Sequence, residues 1–152
     1  MSSFHLERLS LHHLTAAAEL EAKCFSQPWS ASALEILTRD GGFGIAAMDR
    51  NGKLIGYGGM LTVLDEGQIT NVAVSPDFRR QGVGKAIMRA LTEEAKQRGI
   101  SLISLEVRVS NLAAQKLYLG LGFTEAGIRK RFYAHPVEDA SVMLLNLNSS
   151  NP

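Results

Sequence analysis

Apolar positions along the chain change their period repeatedly, and the changes mark out its elements. Residues 4–9 alternate apolar and polar side chains, which predicts a short first strand. Leu14, Ala17, Ala18, Leu20 and Ala22 then recur at helical spacing, predicting a helix over 11–24. The segment Cys24-Phe25-Ser26-Gln27-Pro28-Trp29 breaks that pattern, and Ser30 is placed to cap a second, short helix over 30–39. Two apolar runs, 44–48 and 54–63, flank Asp49-Arg50-Asn51-Gly52; Asn-Gly between apolar runs is a strong hairpin signal. Asp65-Glu66-Gly67 predicts a further turn into a strand over 68–74, and connections this short require antiparallel pairing. The strongest helical stripe is Val83, Ala86, Ile87, Ala90 and Leu91 within 82–98, stopped by Gly99. Residues 102–108 alternate again, with Ile103, Leu105 and Val107 on one face and Ser104, Glu106 and Arg108 on the other. A helix over 111–121, with Ala114, Leu117, Tyr118 and Leu121 on one side, ends at Gly122. Segments 127–132 and 141–147 predict a closing strand pair around a loop containing His135-Pro136. The pattern is an α/β (α+β) fold: a mixed, mostly antiparallel sheet of about seven strands flanked by about four helices.

At 152 residues this is the length of one domain, expected over 1–147 with a polar tail at 148–152. A net charge of +1 argues against a general nucleic-acid or membrane-surface binder, so any basic site must be local. The single cysteine, Cys24, excludes an intrachain disulfide and fits a reducing, cytoplasmic setting. His5, His12, His13 and His135 show no ligand spacing with partners, and no metal is expected.

The local basic site is the stretch 69–86, Ile-Thr-Asn-Val-Ala-Val-Ser-Pro-Asp-Phe-Arg-Arg-Gln-Gly-Val-Gly-Lys-Ala. A strand passes through a basic, glycine-containing turn into a helix. The first backbone N–H groups of a helix lack internal acceptors and sit at the positive end of its dipole, so they suit a phosphate. Gly82 and Gly84 permit close approach to the backbone, with Arg79 and Arg80 as mobile charge at the mouth. A surface turn with solvated arginines is the plain alternative.

This stretch, the segment 105–123 (Leu-Glu-Val-Arg-Val-Ser-Asn onward) and the closing strand pair stand in an order that resembles the GCN5-related N-acetyltransferases (GNAT). Pro28-Trp29-Ser30, residues 65–84, 105–111, 117–123 and Glu138-Asp139-Ala140 resemble its ribosomal-protein-alanine group (RimI type). The resemblance implies acetyl-coenzyme A as co-substrate and a protein N-terminus as acceptor, most directly the N-terminal alanine of the eighteenth small-subunit ribosomal protein. It implies that the backbone of Val72, Ala73 and Val74 lines the pantetheine arm. Arg79, Arg80, Gln81, Gly82, Val83, Gly84 and Lys85 would surround the pyrophosphate, and Asn111 would contact the coenzyme near its thiol. Glu106 would be the general base and Tyr118 the general acid, with Trp29, Asn71, Arg131 and Tyr133 on the acceptor side. It further implies a monomer or weak dimer, without nucleic-acid or membrane partners.

The chemistry is consistent with a mild base. A protein N-terminal amine, with a pKa near 8, costs roughly 1 kcal/mol to deprotonate at pH 7, whereas lysine costs more than about 4. Glu106 lies on the polar face of its strand, and Glu66 is the rival base; a carboxylate there can equally be solvated or paired with an arginine such as Arg108. Tyr118 lies on an apolar stripe, where tyrosine often serves packing. A phenol is also a weaker acid than a thiol, so Tyr118 reads as a hydrogen-bond donor to the departing sulfur. Phe132 stands where the first tyrosine of the group's Arg-Asn-Tyr-Tyr segment is usual, and the following loop is about two residues shorter, which opens the question of the acceptor. A small amine or lysine acceptor, or a silent acyl-coenzyme-A-binding module, remain the alternatives.

Overall fold

A computed structural model describes residues 3–148, so most of the 148–152 tail lies outside the described residues. The strands are β1 (Phe4–Arg8), β2 (Gly42–Asp49), β3 (Leu54–Val63), β4 (Glu66–Val74), β5 (Leu102–Arg108), β6 (Thr124–Ala134) and β7 (Val137–Asn146). The α-helices are α1 (Leu14–Cys24), α2 (Ala31–Leu34), α3 (Val83–Gln97) and α4 (Leu112–Gly120). The strands form one sheet in the order β1-β2-β3-β4-β5-β7-β6. Every pairing is antiparallel except β4 with β5, where α3 carries the chain back to start a parallel neighbour; short turns join only β2 to β3, β3 to β4 and β6 to β7.

The sheet is covered on both faces, as strand alternation requires. Val83, Ile87, Met88 and Leu91 of α3 pack on Phe43, Ile55, Ile69, Ile103 and Met143. On the other face Leu14, Ala17 and Leu20 of α1, with Leu34 and Leu37, pack on Ala46, Tyr57 and Ala73. Ala114, Tyr118 and Leu121 place α4 on the α3 face. No residue of α4 is fully buried, which leaves this helix the least covered of the long ones.

Two irregularities open the sheet at its centre. Parallel pairing of β4 with β5 covers Glu66, Gly67 and Gln68 against Leu102, Ile103 and Ser104, and then the strands part. β5 meanwhile stays paired to β7 through Arg108. In β4, Val72 pairs with Gly58 and Ile69 with Met60, so Thr70 and Asn71 both stand opposite Gly59. This is a β-bulge, which bends a strand and re-aims its side chains. Gly59 fits the bulge because a Cβ there would lie 2.5 Å from Leu37 Cδ1 and 2.7 Å from Thr70 Oγ1.

Several element boundaries differ from the sequence expectation. The predicted helix 11–24 opens as a 3-10 turn over Leu11–His13, and 30–39 divides into α2 and a 3-10 turn over Glu35–Thr38. β4 begins at Glu66, so the turn is Leu64-Asp65 rather than Asp65-Glu66-Gly67; Leu64 takes the left-handed conformation at φ 55°. The closing hairpin extends over Thr124–Ala134 and Val137–Asn146 with only His135-Pro136 between. β6 is an edge strand with nearly every residue exposed, so it has no apolar alternation to read. Among the described residues, no helix is long and apolar enough to cross a membrane.

Candidate active site

A groove of about 720 Å³ lies where β4 and β5 part. Its geometry follows from strand alternation. Ile103, Leu105 and Val107 belong to the core under α3, so Glu106 projects from the opposite face, on which α1 lies. Tyr118 comes from the α3 face, yet both side chains line the same groove. The gap between the strands is thus a window through the sheet.

Glu106 is held on both carboxylate oxygens: Gln68 Nε2 donates to Oε1 at 3.2 Å and Arg129 Nη1 to Oε2 at 3.0 Å. Its side chain is only 11% exposed. Its arginine partner is Arg129 rather than Arg108, which instead pairs with Glu138 at 3.0 Å. The rival base, Glu66, is exposed at the start of β4 and does not line the groove. At about 3.3 Å per residue it lies roughly 13 Å back along the strand from Thr70, the residue level with Glu106 in the parallel register. Tyr118 packs against Phe123 with ring centroids 5.9 Å apart. Burial first, and then Tyr133, push its phenol up to about 12, so it remains a proton-bearing donor throughout the neutral range.

The edge of β4 facing the window is open. Ser75 N–H donates to the Ile55 carbonyl at 2.8 Å, and alternation along the ladder then turns the Ala73 backbone towards β3. Val72 and Val74 turn theirs towards the gap. The Val74 carbonyl accepts from Cys24 Sγ at 3.6 Å and from Arg79 Nε at 3.4 Å. Arg79 is therefore folded back along β4 rather than free at the mouth, and Arg79 Nη2 reaches Cys24 Sγ at 3.9 Å. Cys24 is half-buried, packed against the α1-face core and lining the groove wall. Thr70 Oγ1 is buried beside the gap without a hydrogen-bond partner among the described residues.

The turn from β4 to α3 presents backbone donors. Gly82 precedes α3 in the left-handed conformation at φ 81°, as does Arg80 at φ 63°. The first helical bond shown there runs from Ala86 N–H to Gly82 carbonyl, and no side chain caps the start. The Val83, Gly84 and Lys85 N–H groups are left for a ligand. A Cβ on Gly84 would meet Val74 and Leu117 at 3.7 and 3.8 Å, ordinary contacts, so the protein's own packing does not demand glycine there. Asn111 caps α4, its Oδ1 accepting from Ala114 N–H at 3.1 Å. The open β4 edge and the uncapped α3 turn fit an extended thiol arm ending in a phosphate, whereas the Thr70 hydroxyl lies on the same side of the sheet as Leu37, the α1 face.

The acceptor-side residues are gathered unequally. Trp29, Asn71 and Tyr133 line the groove with Phe132, whose ring meets Tyr133 edge-on at 5.0 Å. Arg131 does not line it; it takes φ 51° in an irregular part of β6, and its N–H donates to Asp139 Oδ1 at 2.9 Å. Two arrangements were not read from the sequence. Arg108 stacks on Tyr133 at 4.3 Å and donates to the His135 and Pro136 carbonyls, while Ser26 Oγ also donates to the His135 carbonyl. The α1–α2 loop and the hairpin tip are thereby tied across the groove. Beneath it, Glu21 is fully buried and accepts from Trp29 N–H, Asn71 Nδ2 and Tyr57 Oη. Its signal was the run Leu14, Ala17, Glu21, a charge on the buried stripe of α1. Burial first, then the Glu21 charge, raise the Tyr57 phenol well above its ordinary value.

The fold also gathers Glu7, His12 and His13, with potential ligand atoms within 4.8 Å. Hydrogen bonds account for this group. His13 Nδ1 accepts from Ser10 N–H at 2.9 Å, which assigns its proton to Nε2, and Nε2 donates to Glu7 Oε1 at 3.0 Å. A cation at Nε2 would displace that proton while Nδ1 stayed engaged. The group ties β1 to the start of α1, away from the groove.

Comparison with known proteins gives these elements a family. Residues 14–123 match the acetyltransferase (GNAT) family. The [ribosomal protein bS18]-alanine N-acetyltransferase of Escherichia coli strain K12 is 36% identical over 94% of this chain and 97% of its own length. The Salmonella typhimurium protein of the same name is 38% identical over 92% of this chain and 95% of its own. The crystal structure of the E. coli ribosomal-protein-S18-alanine N-acetyltransferase superposes with a TM-score of 0.88 at 35% identity, covering 97% of this chain and 96% of that one. Ard1 from Thermoplasma volcanium shares the fold at 20% identity, with a TM-score of 0.85 over 95% of this chain and 98% of that one. With its sheet parted between β4 and β5 and a groove set at the parting, the chain belongs to the GNAT acetyltransferase family.

Proposed function

We propose that this chain moves acetyl from acetyl-coenzyme A to the α-amine of a protein N-terminus, by direct attack in a ternary complex. The observation that carries the reading is the window between β4 and β5, lined by Glu106 from one face and Tyr118 from the other. When bound, acetyl-coenzyme A supplies an acetyl group activated as a thioester. The α3 turn is on Tyr118's face, so coenzyme and acceptor approach the window from opposite sides. The N–H groups of Val83, Gly84 and Lys85 hold the pyrophosphate, with Arg80, Gln81 and Gly82 shaping the turn and Arg79 braced against Val74. The Val72 and Val74 backbone lines the arm, Ala73 holds the strand to β3, and Asn111 fixes the start of α4 beside it.

Glu106 accepts the proton that the attacking amine must lose. Arg129 and Gln68 steady its carboxylate without occupying every lone pair. Tyr118 keeps its proton and donates a hydrogen bond towards the departing sulfur, which stabilises developing negative charge. Trp29, Asn71 and Tyr133 form the acceptor wall. Arg131 belongs to the hairpin that carries this wall and acts on the acceptor through Tyr133's placement. The acceptor is the N-terminal alanine of ribosomal protein bS18, in the cytoplasm; relatives at 36–38% identity over more than nine-tenths of the chain are named for that substrate. Phe132 removes one hydroxyl from the wall, so recognition leans more on apolar contact than it would with tyrosine there.

A panel of amines tests the proposal: Ala-initiated peptides of bS18, the same peptides with blocked N-termini and free lysines, and small polyamines. Acetylation of the unblocked peptides is expected. Turnover confined to lysine or polyamine would refute the N-terminal acceptor, and tight coenzyme binding without any turnover would refute the enzyme.

A further inference from the structure

Glu21 lies outside the reacting groups, yet two residues of the groove wall, Trp29 and Asn71, and the buried Tyr57 all end on it. Its Oε1 accepts from Trp29 N–H at 2.9 Å, which fixes the loop after α1. Asn71 Nδ2 donates to Oε1 at 3.2 Å and to Oε2 at 2.9 Å, and the Tyr57 hydroxyl donates to Oε2. The residue is 0% exposed, and every partner is a donor. A carboxylate can only accept, so the Asn71 side chain must present its NH2 group to Glu21 and turn its carbonyl oxygen away. Asn71 stands on the β4 bulge and lines the groove, and no hydrogen bond to its Oδ1 is made among the described residues.

We propose that Glu21 is a positioning residue for the acceptor: it locks the Asn71 amide so that Oδ1 faces the groove and accepts an N–H of the incoming amine. This rests on the acetyl-transfer reading above and adds the group that holds the amine beside Glu106. A carbonyl oxygen suits the task better than a second carboxylate would. It binds the charged amine on arrival and still accepts from the neutral amine after Glu106 has taken the proton, without raising the amine's pKa as strongly as an anion would. The lock depends on the identity of the buried group. In Glu21→Gln the Trp29 N–H keeps the amide oxygen at the Oε1 position, so the new NH2 group takes the Oε2 position, 2.9 Å from Asn71 Nδ2. The Tyr57 hydroxyl can reverse and accept, but the Asn71 amide must turn over, which points Nδ2 into the groove against the amine's own donors.

The test is the steady-state kinetics of Glu21→Gln with an acceptor that the wild type acetylates, beside coenzyme affinity by calorimetry. The acceptor KM should rise roughly tenfold, the scale of one hydrogen bond to a charged group, while coenzyme Kd stays within about twofold. Adding Asn71→Asp to Glu21→Gln restores an oxygen on both sides of residue 71 and should recover most of the loss. Asn71→Leu removes the oxygen while leaving Glu21 in place, and it should reproduce the acceptor defect even where Glu21→Gln folds poorly. Exchange of the Asn71 side-chain amide protons reads the lock without turnover: slow in the wild type and fast in Glu21→Gln. An unchanged acceptor KM in both single variants, a parallel loss of coenzyme affinity, or fast amide exchange in the wild type would overturn the proposal. Failure of the wild type to acetylate any amine would instead strike the parent reading, leaving the exchange result to judge the lock.

Discussion

Glu106 and Tyr118 reach one groove from opposite faces of the sheet, and their chemistry separates what removing each should do. Glu106→Gln should lower kcat roughly 100-fold at pH 7, the lower end of general-base effects, with coenzyme affinity unchanged. The deficit should shrink as pH rises past the amine's pKa near 8, because the amine then arrives neutral. An equal rate at every pH would move the base to solvent. Tyr118→Phe should lower kcat, and the wild-type profile should show no alkaline fall from this phenol until pH approaches 12. The same shift has a stability consequence. Folding raises the Tyr118 pKa above its ordinary value near 10, so its contribution is whole below that pH and is lost as pH climbs towards 12. Alkaline unfolding followed by circular dichroism should show a weaker decline in this window for the phenylalanine variant. The place of Glu106 on the polar face of its strand was legible from alternation, whereas its role as base came only from the family resemblance. Glu21 was not legible, because its role depends on Trp29, Asn71 and Tyr57 converging from positions up to 50 residues away.

Among the elements, the α3 turn offers the sharpest separation of stability from function. Gly84→Ala adds a methyl group that meets only ordinary contacts, in a helix where alanine outranks glycine by about 0.5–1 kcal/mol. It should hold or raise the melting temperature and weaken coenzyme binding. Loss of stability with unchanged binding would mean that glycine serves packing there. The hairpin tip behaves differently, because polar links hold it. Hydrogen bonds from Ser110 and Arg108 hold the Glu138 carboxyl below the usual carboxylate range, so that link is whole at neutral pH and weakens as acid protonates Glu138. Arg108→Gln also loses the Tyr133 stacking contact and a charged clamp on the His135 and Pro136 carbonyls. It should raise the acceptor KM several-fold while sparing coenzyme affinity, measured by the same kinetics. The helices and central strands were readable because each buries one periodic face. β6 was readable only in part, because an exposed polar edge strand carries no such period.

At the scale of the molecule, the proposed site sits where regular pairing stops. Each strand, turn and helix can be read locally, but the parting of β4 from β5 arises from the bulge at Thr70 and Asn71 and from β5 following β7 instead. That is a property of register between distant segments, which a single sequence does not display. One consequence is thermodynamic: a coenzyme filling the window bridges both halves of the sheet. At a hundredfold excess over Kd it should stabilise the fold by about 2.7 kcal/mol, or roughly 5–10 °C in melting temperature for a chain of this size. The most direct measurement of the central claim places both kinds of amine in one molecule. An Ala-initiated bS18 peptide containing an internal lysine is incubated with acetyl-coenzyme A, and tandem mass spectrometry locates the acetyl group. The account predicts acetyl on the α-amine with the lysine untouched, at a rate that collapses in Glu106→Gln. Acetyl on the lysine, or an α-amine rate indifferent to Glu106, would contradict it.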